Sequence, residues 1–162
     1  MQQVFFAIFA LVTLGGAVGV VASRSLFRSA LWLILSFFGV AGLFILLHAE
    51  FLAVVQVLIY IGAIATLIIF AIMLSRGMMD PKQPRFNDQW RAALGLVVVL
   101  AVALVGLVAR IAWPVAAGEP PADAIQRLGT DFVGGYVIPF ELASVLLVAA
   151  MIGAIIIARE RE

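Results

Sequence analysis

Residues Glu50 to Ser75 read EFLAVVQVLIYIGAIATLIIFAIMLS, and the 24 residues between the terminal Glu and Ser carry no charge. A helix of that length exceeds the ~20 residues needed to cross ~30 Å of hydrocarbon. Near its middle stand Gln56, Tyr60, Gly62 and Thr66: an amide, a phenol, a helix-loosening glycine and a hydroxyl. Leu or Val at those places would insert more easily, so the four residues call for an explanation beyond membrane crossing.

The surrounding chain supports a membrane setting. Of 162 residues, 65% are hydrophobic and 12% charged, and the mean hydropathy is +1.23. A water-soluble domain could not hide that much apolar surface. Ten Lys and Arg against nine acids give a net charge of +1, with no clustered basic face for nucleic acid. There is no Cys and one His, His48, which excludes disulfides, thiolate iron-sulfur ligation and bis-His haem binding within this chain. The first apolar stretch ends Val20-Val21-Ala22 like a signal peptide, but no Lys or Arg precedes it, so it is expected to be a permanent span.

Apolar runs cover about 4–22, 30–47, 51–74, 92–109 and 137–158, without charge except for Glu141 near the start of the last. They are continuous, not alternating in ~10-residue segments, and helices satisfy their own backbone groups in lipid. The expected fold is therefore all-α: a polytopic membrane protein with five transmembrane helices forming one domain over 1–162. Eight basic residues fall on one side of such a bundle: Arg24, Arg28, Arg76, Lys82, Arg85, Arg91, Arg159 and Arg161. Only Arg110 and Arg127 fall on the other. By the positive-inside rule the N-terminus lies outside and the C-terminus is cytoplasmic, with Trp90 and Trp113 at the two interfaces of the fourth span.

The stretch from Arg110 to Tyr136 holds Pro114, Gly118, Pro120, Pro121, Gly129, Gly134 and Gly135, a composition that breaks regular structure, although Ala122 to Leu128 could form a short surface helix. No inverted repeat of the transporter kind is present. Small residues four apart at Gly15 and Gly19, Ala149 and Gly153, and Ala150 and Ala154 allow close helix approach, within this bundle or with other subunits.

No Lys, Arg, Asp or His lies inside the five runs, whereas intramembrane proton paths are built from such groups. Glu141 is the one carboxylate that could dip in. If the last helix begins near Pro139, Glu141 sits in its first turn, where the helix dipole favours an anion; otherwise it is an interfacial proton acceptor or a contact to a partner. His48 and Glu50, in the tight connection between the second and third runs, read as a solvated interfacial pair or as a proton-handling pair. A chain with so little polar content is expected to be a subunit of something larger.

On a regular helix Gln56 and Tyr60 share one face, and Gly62 and Thr66 another roughly 120° around. One reading is that Gln56 and Tyr60 bond a neighbouring helix while Gly62 admits a close neighbour. The other is that they line a water-filled or polar seam, with Gly62 letting the backbone change its winding, a π-type bulge being one such change.

The stretch Gln56-Val-Leu-Ile-Tyr60-Ile-Gly62-Ala63-Ile64, together with Pro139-Phe140-Glu141-Leu142-Ala143-Ser144, resembles the J-type membrane subunit of NADH-quinone oxidoreductase, respiratory complex I, known in mitochondria as chain 6. The likeness covers nearly the whole chain. It implies a non-catalytic membrane-arm subunit of a proton-translocating enzyme, linking quinone reduction to proton pumping through a flexible third helix that can carry a π-bulge at Tyr60-Ile61-Gly62. Rotation of that helix would make or break a water path between acidic residues of neighbouring subunits, with Tyr60, Gly62, Gln56 and Thr66 as the gate.

The resemblance further implies that FMN, iron-sulfur clusters and quinone belong to partner subunits, with no cofactor, metal or active site in this chain, and that the setting is a bacterial plasma membrane or an organelle inner membrane. Two features depart from the family pattern: Thr66 stands where many relatives carry an aliphatic residue, and the chain ends at Arg159-Glu-Arg-Glu162 where several relatives extend. The alternative family reading is a J-like subunit of a multisubunit cation/proton antiporter or membrane-bound hydrogenase.

Overall fold

The computed structural model describes residues 1–75, 89–112 and 123–159, and every regular element among them is helical. The expected interface tryptophan Trp113, the loop residues Pro114, Gly118, Pro120, Pro121 and Ala122, and the basic residues Arg76, Lys82, Arg85 and Arg161 lie outside the described residues. Five helices are long and apolar enough to cross a membrane: Gln2–Ala22, Leu26–Leu46, Glu50–Leu74, Trp90–Arg110 and Val137–Ala158. The chain is a multi-pass membrane protein.

Two compact units divide after Ala117. In the first, α1 (Gln2–Ala22) and α2 (Leu26–Leu46) form an antiparallel hairpin, and the third span follows as α3 (Glu50–Val55), a π-helical segment (Gln56–Ala65) and α4 (Thr66–Leu74). All three parts of that span pack on α2. The helix α5 (Trp90–Arg110) has no buried residue. In the second unit, α6 (Ala124–Val133) packs on α7 (Val137–Ala158).

Lipid is as apolar as a Leu side chain, so helices associate there through close packing and polar bonds. The α1–α2 hairpin is built in that way. Its buried residues are small: Gly16 on α1, and Ala30, Ser36, Gly39, Ala41 and Gly42 on α2. A Cβ on Gly16 would stand 2.8 Å from the Ser36 nitrogen, and one on Gly39 would stand 2.8 Å from the Thr13 nitrogen, so either side chain would force the backbones apart. Ser36 Oγ donates to the Thr13 carbonyl at 2.9 Å, and Ser29 Oγ to the Val20 carbonyl at 2.9 Å. Of the small pair Gly15 and Gly19, Gly19 lies against the Trp32 ring, Gly15 has no atom within 4 Å of a built Cβ, and Gly16 adds a contact that the spacing did not indicate. Gly153 likewise has nothing within 4 Å.

The turn from α2 into α3 is a Schellman cap. The His48 N–H donates to the Ile45 carbonyl at 3.0 Å and the Ala49 N–H to the Phe44 carbonyl at 2.9 Å, the two bonds of that motif. His48 takes the left-handed position, with φ 55°, usually given to glycine because a Cβ is crowded there. His48 and Glu50 form no ion pair with each other; the only ion pair among the described residues joins Asp123 and Arg127 at the start of α6.

The last span begins where the apolar run 137–158 begins. Its first helical residue is Val137, and no acid lies in the first turn. Pro139 is third in the helix, where its missing N–H costs no intrahelical bond. Glu141 therefore stands in the second turn, beyond the orphan N–H groups, and the expectation of a first-turn anion is corrected. The surface helix expected over Ala122–Leu128 is observed five residues further on at its end, as Ala124–Val133.

Candidate functional site

The four polar residues of the third span all fall in or directly after the π-helical segment. In a π-helix the backbone bonds run i to i+5, each wide turn holding an extra residue. Such segments are mostly single turns; this one covers ten residues, Gln56–Ala65. It opens on a shared bond in which the Gln56 N–H meets the carbonyls of both Ala53 and Leu52. Its exit is tighter, the Thr66 N–H bonding the Ala63 carbonyl.

The winding decides which residues meet α2. Gln56 and Ala65 are both buried, at 7% and 1% exposure. Nine residues at about 100° each come to two and a half turns, so on an α-helix these two would point to opposite sides. The wide turns return them to the same side. Beyond Ala65 the half-buried residues are Ile68, Ile69 and Ile72, while Leu67 and Phe70 stay exposed. A straight α-helix continued from Gln56 would instead bring Ala63, Leu67 and Phe70 to the α2 side.

Tyr60 is 43% exposed, and its ring meets Phe37 of α2 edge-on, with centroids 5.4 Å apart and an interplanar angle of 73°. Thr66 Oγ1 donates to the Ile61 carbonyl five residues back at 3.5 Å, the outer limit of a hydrogen bond. A Cβ on Gly62 would lie 3.4 Å from the Val57 carbonyl oxygen, ordinary contact for a methyl group. Gln56 is buried and Tyr60 half-exposed with its ring on Phe37 of α2, whereas Gly62 and Thr66 are exposed.

Among the described residues the Gln56 amide has no hydrogen-bond partner, yet neither its nitrogen nor its oxygen is fully sealed. An amide left dry and unpaired costs about 1–3 kcal/mol. It therefore sits where water or another chain can reach it. No group of three or more His, Cys, Asp or Glu capable of holding a metal is present among the described residues.

Two participants escaped the sequence reading. Phe37 lies in the run Ser36-Phe37-Phe38-Gly39, and only the packing tells which ring meets Tyr60. Ala65 became visible once the winding was known, because a small residue nine positions after Gln56 has no meaning on a 3.6-residue period.

Residues 16–157 match the family described as NADH-ubiquinone/plastoquinone oxidoreductase chain 6. The chain belongs to this family. Among similar chain 6 proteins is the NAD(P)H-quinone oxidoreductase chain 6 of Leptolyngbya boryana, 41% identical over 162 residues, covering 98% of this chain and 80% of the relative. The F(420)H(2) dehydrogenase subunit J of Methanosarcina mazei is also 41% identical, over 98% of this chain and 92% of the relative. A chloroplastic subunit 6 from Cryptomeria japonica is 35% identical over 91% and 87%. The chain 6 likeness thus covers the hairpin, the π-helical span and the last helix.

Proposed function

We infer that this chain is a non-catalytic membrane-arm subunit of a proton-translocating NADH-quinone oxidoreductase, and that its third span couples quinone reduction to proton movement by changing its winding. The observation that carries the reading is the burial of Gln56 and Ala65 on one side of a helix that could not hold both there if wound regularly. Loss of one wide turn would rotate α4 by about 100° relative to α3. Gly62 is the pliable point, since glycine costs ~0.8–1 kcal/mol of helix stability relative to Ala. Tyr60 and Thr66 present hydroxyls on the exposed side, and Gln56 an unspent amide. These can hold water when the turns are wide and release it when they tighten, while the titrating carboxylates reside on neighbouring subunits.

Iron-sulfur clusters belong to those partners, because this chain has no Cys, and the family resemblance assigns flavin and quinone to them as well. The single-domain reading, the outside N-terminus, the cytoplasmic C-terminus and a bacterial plasma membrane are part of the same proposal, with Glu141 as an interfacial carboxylate. The similarity to an F(420)H(2) dehydrogenase subunit favours a second reading of one point, the electron donor: a reduced deazaflavin in place of NADH.

Purification through a tag on this chain tests the assignment. A complex-I-type assembly brings down a flavin- and iron-sulfur-containing arm with quinone reductase activity, and NADH and reduced deazaflavin are then compared as donors. Sodium-proton exchange in an assembly without that arm would place the chain in the antiporter class instead.

A further inference from the structure

The helix α6 is separated from the membrane span α7 by three residues, Gly134 to Tyr136. Three residues reach at most ~11 Å, so α6 cannot stray far from the level at which α7 begins. The connection is bonded throughout: the Gly134 N–H donates to the Thr130 carbonyl at 2.9 Å, Tyr136 N–H to Asp131 at 2.9 Å and Phe140 N–H to Tyr136 at 3.1 Å. Phe132 of α6 lies against Phe140 of α7, with ring centroids 5.8 Å apart.

On the α6 helix Ile125, Leu128 and Phe132 fall within about 60° of one another, and Gln126, Arg127, Thr130 and Asp131 fill the opposite side. The apolar side is only partly covered: Phe132 meets Phe140, while Ile125 is 60% and Leu128 37% exposed. The polar side is not basic. The Arg127 guanidinium is committed to Asp123 at 2.9 Å, which leaves Asp131 in excess, so neither anionic lipid nor an acidic partner is favoured by charge. An amphipathic helix tied to the end of a membrane span, with the Ile125–Leu128 part of its apolar stripe open and a polar opposite face, fits the plane of the bilayer interface.

We propose that α6 is an in-plane membrane anchor, with Ile125 and Leu128 seated among the acyl chains of zwitterionic phospholipid, Phe132 joining them to Phe140 of α7, and Gln126, Thr130 and Asp131 facing water. Ten residues alone bind a bilayer weakly. Tethering to α7 makes the insertion effectively intramolecular. The anchor fixes the depth at which α7 enters, and with it the depth of Glu141, about 6 Å along the helix from Val137. The carboxylate is thereby held near the polar boundary, away from the hydrocarbon centre. This proposal depends on the membrane reading and is independent of any change of winding in the third span.

Because the chain has no Cys, single cysteines introduced in the assembled complex can be read on this chain's own gel band. In native membranes, a charged maleimide is expected to label Q126C and T130C at least tenfold faster than I125C and L128C, and a photoreactive phenylalanine at 125 is expected to cross-link to phospholipid. Labelling of I125C and L128C as fast as Q126C would overturn the anchor by showing an apolar stripe open to water. Cross-linking of position 125 to another subunit would overturn it in favour of a protein partner. The two apolar positions are read separately, so either one carries the test if the other variant fails to assemble.

Discussion

Gln56 and Ala65 are both buried in the π-helical segment that packs on α2, although nine residues separate them, a spacing that an α-helix would place on opposite sides. The relationship defines the register of the third span and makes it testable. Enlarging Ala65 pushes a side chain into the α2 contact, whereas Ala63, exposed in this winding, has room. Ala65→Leu is expected to destabilise the subunit by about 1–3 kcal/mol, the usual cost of overpacking, and Ala63→Leu to cost much less. Thermal dissociation of the complex on native gels measures both, and the reverse order would mean a regular α-helical register.

The edge-on contact between Tyr60 and Phe37 separates the ring of Tyr60 from its hydroxyl. Aromatic pairs of this kind contribute ~0.5–1.5 kcal/mol beyond their burial. Tyr60→Ala should lower the yield of assembled complex, while Tyr60→Phe should assemble normally and pump fewer protons per quinone reduced. Unchanged pumping in Tyr60→Phe would confine the residue to ring packing.

Gly16 and Gly15 offer a paired test of the hairpin. Gly16→Ala sets a methyl group against the Ser36 backbone, where 2.8 Å is far inside contact distance, and Gly15→Ala meets nothing within 4 Å. The first should cost about 1–3 kcal/mol and reduce the amount of subunit in the membrane; the second should leave it unchanged. Quantitative immunoblots of membranes distinguish them.

His48 pays a conformational cost for its left-handed φ. Gly at that position should stabilise the turn by up to about 1 kcal/mol and leave proton pumping intact if the imidazole is only a cap. A pumping defect in His48→Gly with normal assembly would assign the imidazole to proton handling.

The Asp123–Arg127 pair titrates on the acid side. The Arg127 guanidinium bonded to the Asp123 carboxylate holds its pKa below the usual carboxylate value, so any stabilisation is present above that ordinary value and lost as pH falls through the lowered one. The pair is fully solvent-exposed and screened by salt. Asp123→Asn is therefore expected to leave assembly at neutral pH unchanged, as measured by complex yield in high and low salt.

Much of the architecture is written in the sequence because lipid imposes one rule: apolar runs of sufficient length become helices. Residues 51–74 could be read as a span without any knowledge of their neighbours. The register within that span could not, since apolar residues flank Gln56 on every side and leave no contrast from which a period can be read. The start of α7 agrees with the apolar run at 137, but the place of Glu141 in its first or second turn could not be read. Pro139 is compatible with several positions in a first turn, and the choice of Val137 depends on the bonded connection from α6. Gly15 and Gly16 are adjacent and chemically identical, so only the crossing of α1 over α2 determines which one is needed.

Gly62→Val is the most direct test of a third span that must change its winding. Its Cβ would meet the Val57 carbonyl at 3.4 Å, ordinary contact, so the subunit should still assemble; what is lost is the pliability of glycine, about 1 kcal/mol, or roughly fivefold in rate if it falls on the moving step. Proton pumping driven by quinone reduction is measured in membranes holding equal amounts of assembled complex. The account expects near-normal assembly with turnover and pumping reduced on that scale; wild-type turnover and pumping in Gly62→Val would contradict it.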